Sequence, residues 1–231
     1  MRVLLIRHAQ ADWGGADYDR LSALGMRQAA ALGQWIAQES GWCPQRLICG
    51  PRRRHQLTMA AIRDALQTAR GTAAVVEIER DWDDADAAAL LAAFRNAQPR
   101  APELAWVAPG ASPAQARALL TAVFAAWRDG ALDADLPETW RAFAARITHA
   151  RSALTTPSVE QVLVVSSAAA IARCAQAVLQ LDDDAMIALN LGLDNAALSE
   201  FAVQDGAWRL LRWNCLPHFA SDSARALAST H

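Results

Sequence analysis

Four short aliphatic runs constrain this chain more than anything else in it: VLLIR at 3–7, RLICG at 46–50, AVVEI at 74–78 and QVLVVS at 161–166. Their apolar character is too continuous for strands with one wet face, and longer segments with helical apolar spacing lie between them. This alternation predicts a mostly parallel sheet covered by helices. The helices are predicted near 22–39, 52–69, 137–154 and 168–179. In the first, Ser22 is placed to cap the free amides, and Leu24, Ala31, Leu32, Trp35 and Ile36 share one side. A final antiparallel pair is predicted at 197–203 and 208–213, where the Asp205-Gly206 step favours a tight hairpin. Residues 85–136 carry no strand pattern but two further helical ones, at 87–96 and 113–128. Pro99, Pro102, Pro109 and Gly110 separate them, so the segment reads as an inserted helical cap with Trp106 in its connecting loop. The small, polar tail at 221–231 is expected to fray.

A chain of 231 residues suits one large α/β domain with a substantial core. No apolar run approaches the roughly 20 residues that cross a bilayer. The apolar start stops at Ile6, too short for a signal peptide, so a cytoplasmic protein with no membrane contact is expected. A formal net charge of −2 argues against general nucleic-acid binding, which needs a basic surface. Any phosphate recognition is therefore local. Lysine is absent, so that recognition falls to arginine, whose planar fork of donors matches phosphate oxygens. Cys43, Cys49, Cys174 and Cys215 lack metal-ligand spacing and read as small packing residues in a reducing compartment.

In open α/β sheets, ligands bind beyond the carboxyl ends of the parallel strands. The first strand ends in Arg7 and His8. The second leads into GPRRRHQLT, which places Arg52, Arg53 and Arg54 at the start of a helix, where free amides and the dipole already attract anions. The third runs into ERDWDD, bringing Asp83 and Asp84 near the same end, and the fourth ends in VVSSAAA, offering Ser166 and Ser167. A nucleophilic imidazole, guanidinium groups and a proton donor are what phosphoryl transfer through a histidine requires.

These segments together resemble the histidine phosphatase superfamily, also called phosphoglycerate mutase-like. LLIRHAQADW is similar to its Arg-His-Gly signature, RLSALGMRQAAALG to the Leu-Ser/Thr, Gly, Gln-Ala pattern of the following helix, and GPRRRHQLT to Ser-Pro-x-x-Arg-x-x-x-Thr. PETWRAFAARI resembles the Glu-Ser segment with its downstream Arg, and LRWNCLPHF the closing Asn-x-x-x-His-Leu. The resemblance implies a three-layer α/β/α sandwich whose mostly parallel sheet has an antiparallel edge. It implies a phosphomonoesterase acting on a small phosphorylated substrate, with no metal or other cofactor. It also implies roles: His8 attacks the phosphoryl group and carries it as phosphohistidine, Arg7 and Arg54 grip the oxygens, Thr58 is the helix threonine, and Asp84 protonates the leaving group. Asp83, Glu77 and Glu79 are the alternatives for the acid.

The departures from the pattern matter as much. Ser167 stands where the family has a second His, with Ala168 and Ala169 in place of two glycines, Gly14 in place of a frequent Asn and Gly50 in place of a common Ser. Ser167 is still expected to contact substrate. A charged hydrogen bond is worth about 1.5 to 3 kcal/mol net and a neutral one about 0.5 to 1.5. At about 1.4 kcal/mol per tenfold, that exchange slows chemistry roughly ten- to a hundredfold. His55 is not expected to compensate, because the next helical residue points about 100° away from Arg54. The alternative function is therefore a weak or inactive relative that binds a phosphorylated ligand or a protein partner. His149 and His218 read as structural, one or both of Arg52 and Arg53 as solvent-facing, and the aspartates at 182–184 as a solvated helix start.

Overall fold

A computed structural model describes residues 1–12, 19–38, 40–71, 75–107, 112–155 and 159–230. Six strands form one sheet: β1 (Arg2–Arg7), β2 (Arg46–Cys49), β3 (Val76–Ile78), β4 (Gln161–Ser166), β5 (Leu198–Gln204) and β6 (Ala207–Cys215). Their order is β3-β2-β4-β1-β5-β6. The β3, β2, β4 and β1 strands run parallel, while β5 and β6 are antiparallel neighbours at one edge. Gln204 ends β5 and Ala207 begins β6, so Asp205 and Gly206 alone form the loop. Both have positive φ, 50° and 77°, the backbone that an Asp-Gly hairpin requires. The expected third strand is shorter than its sequence run, and Ala74 lies outside the described residues.

The described residues hold eight α-helices: α1 (Ala23–Gln38), α2 (Arg53–Arg70), α3 (Ala87–Ala97), α4 (Pro113–Arg128), α5 (Trp140–Ala153), α6 (Ala168–Leu179), α7 (Asp183–Gly192) and α8 (Asp222–Arg225). Side chains alternate across the sheet, which produces the layers. Val3 and Leu5 of β1 and Val162 and Val164 of β4 join the core built with α3 to α7. Leu4, Ile6, Leu163 and Val165 face the other core, filled by Leu32 and Ile36 of α1 and Ile62 and Leu66 of α2. This is the mixed α/β fold expected of a phosphoglycerate mutase-like protein.

Several boundaries differ from expectation for local reasons. Helix α5 begins at Trp140 and not at Pro137, because Thr139 accepts from the Ala142 amide and so sets the start. Helix α7 starts among the three aspartates: Asp182 caps it through the Ala185 amide, and Asp183, its first residue, pairs with Arg173. Trp106 sits in a 3-10 turn, Pro102–Val107, packed against the core, while Pro109 and Gly110 lie outside the described residues. The tail expected to fray instead runs back onto the fold. Gln28 donates to the Leu227 carbonyl (2.7 Å), Thr230 Oγ1 donates to Asp194 (2.7 Å), and Leu227 is buried. Burial raises the Cys49 thiol to about 11 and the Cys174 thiol to about 12, so both stay protonated packing groups. No described helix is long and apolar enough to cross a membrane.

His218 is buried in the turn Pro217–Phe219, its ring 4.1 Å from that of Phe219, centroid to centroid. Neither ring nitrogen has a partner among the described residues, and burial lowers the pKa from 6.5 to about 4. The native protein therefore refuses a proton that the unfolded chain accepts, and this share of stability is complete above pH 6.5 and falls as the pH drops towards 4. The loss amounts to about 3 kcal/mol by pH 4. Urea unfolding of wild type and His218→Phe at pH 7 and pH 4 should show the variant losing less stability by about that amount. Equal losses would contradict the assignment.

Candidate active site

The carboxyl ends of β1, β2 and β4 meet beneath the amino ends of α2 and α6. His8, the residue after β1, is held by main-chain bonds on both sides. Its amide donates to Ser166 (2.9 Å), and its carbonyl accepts from Ala196 (3.2 Å). The ring lies within 2.8 Å of the Ala9 carbonyl through Nδ1. A carbonyl only accepts, so Nδ1 carries the proton and Nε2 keeps its lone pair. Arg54 Nε donates to that Nε2 at 3.2 Å. Burial above all, then the charges of Arg54 and Arg7, holds His8 well below the ordinary histidine range. The imidazole is neutral at pH 7.

The loop after His8 is fixed by the first two helices. Thr58 Oγ1 donates to the Arg54 carbonyl (2.8 Å) and accepts from the Ala9 amide (3.1 Å), linking α2 to the residue after His8. Gln28 accepts from the Gln10 amide (2.8 Å), and Ser22 Oγ donates to the Gln10 side chain (2.7 Å) while accepting from Gly25 (2.9 Å). A Cβ at Gly25 would sit 2.1 Å from the Gln10 carbonyl oxygen, so only glycine lets α1 approach this closely. The Leu-Ser-x-x-Gly-x-x-Gln segment thus acts as a brace for His8.

A cavity of about 310 Å³ opens over this end of the sheet, lined by Arg7, His8, Asp84 and Ser167, with Leu120 and Phe124 of α4 forming an apolar wall. Arg7 donates to the Thr230 carbonyl (2.8 Å) and to that of Leu193. Arg54 is buried, and its guanidinium spans Asp19 (2.8 Å) and Asp84 (2.7 Å) besides His8. The two neighbouring aspartates divide: Asp84 lines the cavity with His8, whereas Asp83 turns outward to Arg52 (2.6 Å). Glu77 is engaged by Arg46 on the sheet edge, which holds its carboxyl below the usual range, and Glu79 is exposed. Among the described residues no cluster of His, Cys, Asp and Glu could hold a metal.

Residues 3–216 match the family model of the histidine phosphatase superfamily, branch 1. The chain belongs to that superfamily. No curated protein matches the sequence. Among solved structures, the chain is similar to the phosphoglycerate mutase of Bacillus anthracis str. Sterne, with TM-score 0.64, 14% identity and coverage of 94% of each chain. It is also similar to the alpha-ribazole phosphatase of Shigella flexneri, with TM-score 0.60, 18% identity, and coverage of 93% of this chain and 96% of that one. A third likeness is to a mycobacterial glucosyl-3-phosphoglycerate phosphatase, with TM-score 0.60, 21% identity, and coverage of 93% and 98%. At these identities the likeness establishes the shared fold.

Three features of this histidine phosphatase superfamily site escaped the sequence. Asp19 ties the loop before α1 to α2 by accepting from the Arg53 amide (2.8 Å) as well as from Arg54, and no local pattern announces it. Gly14, read as a departure from the family pattern, lies outside the described residues. His55, expected to point away, places Nε2 2.7 Å from Ser167 Oγ, with its ring centroid 5.5 Å from that of His8. Helical side chains tilt towards the amino end, which angular spacing leaves out. In the first turn of α2 that end faces the site, so two residues about 100° apart both reach it. The partners of Arg146 of α5, the downstream arginine of the PETWRAFAARI segment, are the third. Its guanidinium grips Glu138 with two nitrogens (2.7 and 2.8 Å) and donates to the carbonyls of Asp81 and Asp83, both at 3.0 Å.

Arg146 therefore fastens the turn that presents Asp84. Ser166 adds a bond to the Trp82 carbonyl (2.8 Å) in the same turn. Replacing Arg146→Met should cost about 2 kcal/mol in urea unfolding, the scale of lost charge-assisted hydrogen bonds. It should also lower any turnover about tenfold with KM little changed, as expected when a group acting only in the transition state is misplaced. Wild-type turnover in a stable variant would show that this turn does not position Asp84.

Proposed function

We propose that this protein is a phosphomonoesterase that works through a phosphohistidine on His8. The observation that carries the reading is the neutral His8 ring, its unprotonated Nε2 bonded by Arg54, on the wall of a cavity that also presents Arg7 and Asp84. In the first step the Nε2–P bond forms, the P–O ester bond breaks, and Asp84 gives its proton to the departing alkoxide. In the second, water attacks phosphorus, its proton passes to Asp84, and the N–P bond breaks to release phosphate. Arg7 and Arg54 hold the equatorial oxygens, where negative charge gathers in the transition state. The first-turn amides of α6 supply further donors from the opposite side.

The walls narrow the substrate. Beyond Arg7, the described residues lining the cavity include no cation, and α4 presents Ala116, Leu120 and Phe124. A phosphomonoester with a neutral, largely apolar organic part fits this lining better than one with a second anionic group, whose charge would be desolvated unpaired. A low-activity reading also has an observation in its favour. Arg54 already holds Asp19 and Asp84, so an arriving phosphate competes with two carboxylates for one guanidinium.

The test is hydrolysis of p-nitrophenyl phosphate and of 3-phosphoglycerate by wild type and His8→Ala. The aryl ester should show the higher kcat/KM, and the substitution should abolish its hydrolysis by roughly a thousandfold or more, as loss of a covalent nucleophile does. Equal rates for wild type and variant would remove His8 from the chemistry. A preference for 3-phosphoglycerate would overturn the substrate assignment alone.

A further inference from the structure

A serine at a helix start ordinarily turns its hydroxyl back to accept from the second or third backbone amide. Ser167 precedes α6 in extended conformation, φ −102° and ψ 165°, yet makes no such bond. Its hydroxyl is instead committed to His55 Nε2 at 2.7 Å, and Ser167 also lines the cavity that holds His8 and Arg7. Both partners are buried, His55 completely. The fold makes specific room for this contact. A Cβ at Gly50 would fall 2.4 Å from His55 Nδ1 and 2.3 Å from the Trp82 carbonyl oxygen, so the imidazole occupies space that any other residue at 50 would fill.

The ring's proton can be placed. Nδ1 makes no hydrogen bond of regular geometry among the described residues, although the Gly50 backbone lies beside it. A buried donor left without an acceptor is rarer than an acceptor left without a donor, so the proton belongs on Nε2, where Ser167 Oγ receives it. In this tautomer His55 is not a base that strips the serine proton. It leaves the hydroxyl hydrogen of Ser167 free to point elsewhere, and the cavity is where an acceptor would arrive. Burial, followed by the charges of Arg54 and Arg52 on its own helix, keeps His55 well below the ordinary histidine range in the free protein. His8 stands against it from β1, while the nearby carboxylates of Asp83 and Asp84 are taken up by Arg52 and Arg54.

We propose that His55 is a positioning residue of the anion site: Nε2–H donates to Ser167 Oγ, and Ser167 thereby aims its hydroxyl proton at a phosphoryl oxygen held beside His8. The pair spreads over two elements, α2 and the start of α6, the work of one donor facing Arg7 and Arg54 across the phosphate. The polarised hydroxyl is a stronger donor than a lone serine, since linked hydrogen bonds reinforce one another in a low-dielectric site. This proposal rests on the phosphatase reading for its turnover measurements but not for its binding measurement.

The experiment is a double-mutant cycle on His55→Ala and Ser167→Ala, with p-nitrophenyl phosphate turnover and vanadate affinity as readouts. Each single variant should lose about tenfold in kcat with KM little changed, and the double variant should lose no more than either single one. Ser167→His placed in the His55→Ala background should recover most of the loss, because it supplies a donor from the vacated side. Should His55→Ala fail to fold, His55→Phe, which fills similar space without a donor, carries the same comparison with Ser167→Ala. Multiplying losses, or a His55→Ala variant with wild-type kcat, would reduce His55 to packing and overturn the proposal. If wild type shows no His8-dependent turnover, the phosphatase reading fails, and the same cycle is then read from vanadate binding. Coupling there supports the pair, and additive losses overturn it.

Discussion

The site depends on one contact, the hydrogen bond from Arg54 Nε to the lone pair of His8 Nε2. A guanidinium is always charged, so an imidazole buried beside it cannot accept a proton without placing two cations together in a medium that screens poorly. The arginine therefore keeps the imidazole neutral, as the proposed chemistry requires. The same group, rigid and multiply donating, is suited to hold the oxygens of whatever the imidazole attacks. On the proposed reading nucleophile activation and anion recognition are one arrangement, and the rest of the fold holds those two side chains at a fixed separation.

The sheet sets the base of that separation. His8 continues β1, the strand between β4 and β5, and Arg54 begins the helix that follows β2. Thr58 links the two directly, bonded at one side to the Arg54 carbonyl and at the other to the Ala9 amide. Buried polar links of this kind tolerate little displacement, because each broken bond leaves a desolvated group without a partner. The turn bearing Asp84 is fastened separately, by Arg146 from α5 and Ser166 from β4. Elements far apart in sequence thus hold Asp84 and His8 on the walls of one cavity.

Much of this was legible in the sequence, and the reason is geometric. Arg7, His8, Ser167 and the Arg52–Arg54 cluster follow aliphatic runs whose buried character fixes both their type and their direction, so the residues at their ends must gather at one edge. Asp84 was readable as a strand-end carboxylate, though choosing it over Asp83 needed the contacts that turn Asp83 towards Arg52. Long-range partners left no local trace. Arg146 lies 63 and 65 residues from the carbonyls it binds. The tail looked too small and polar to order, yet its backbone groups are satisfied by Gln28, Asn195 and Arg7, which composition cannot reveal. His55 was misjudged because angular spacing around a helix ignores the tilt of side chains along it. The start of α5 was misplaced because proline permits a helix start, while it is Thr139 that makes one.

The central claim is that an imidazole lone pair and two guanidinium groups converge on one phosphoryl position. It is tested most directly by a crystal structure of the protein with vanadate, which takes five-coordinate geometry when a nucleophile binds it axially. Vanadium should be bonded to His8 Nε2, with its equatorial oxygens contacted by Arg7 and Arg54. Vanadate bound elsewhere, or held in the cavity with His8 Nε2 turned away from it, would contradict it.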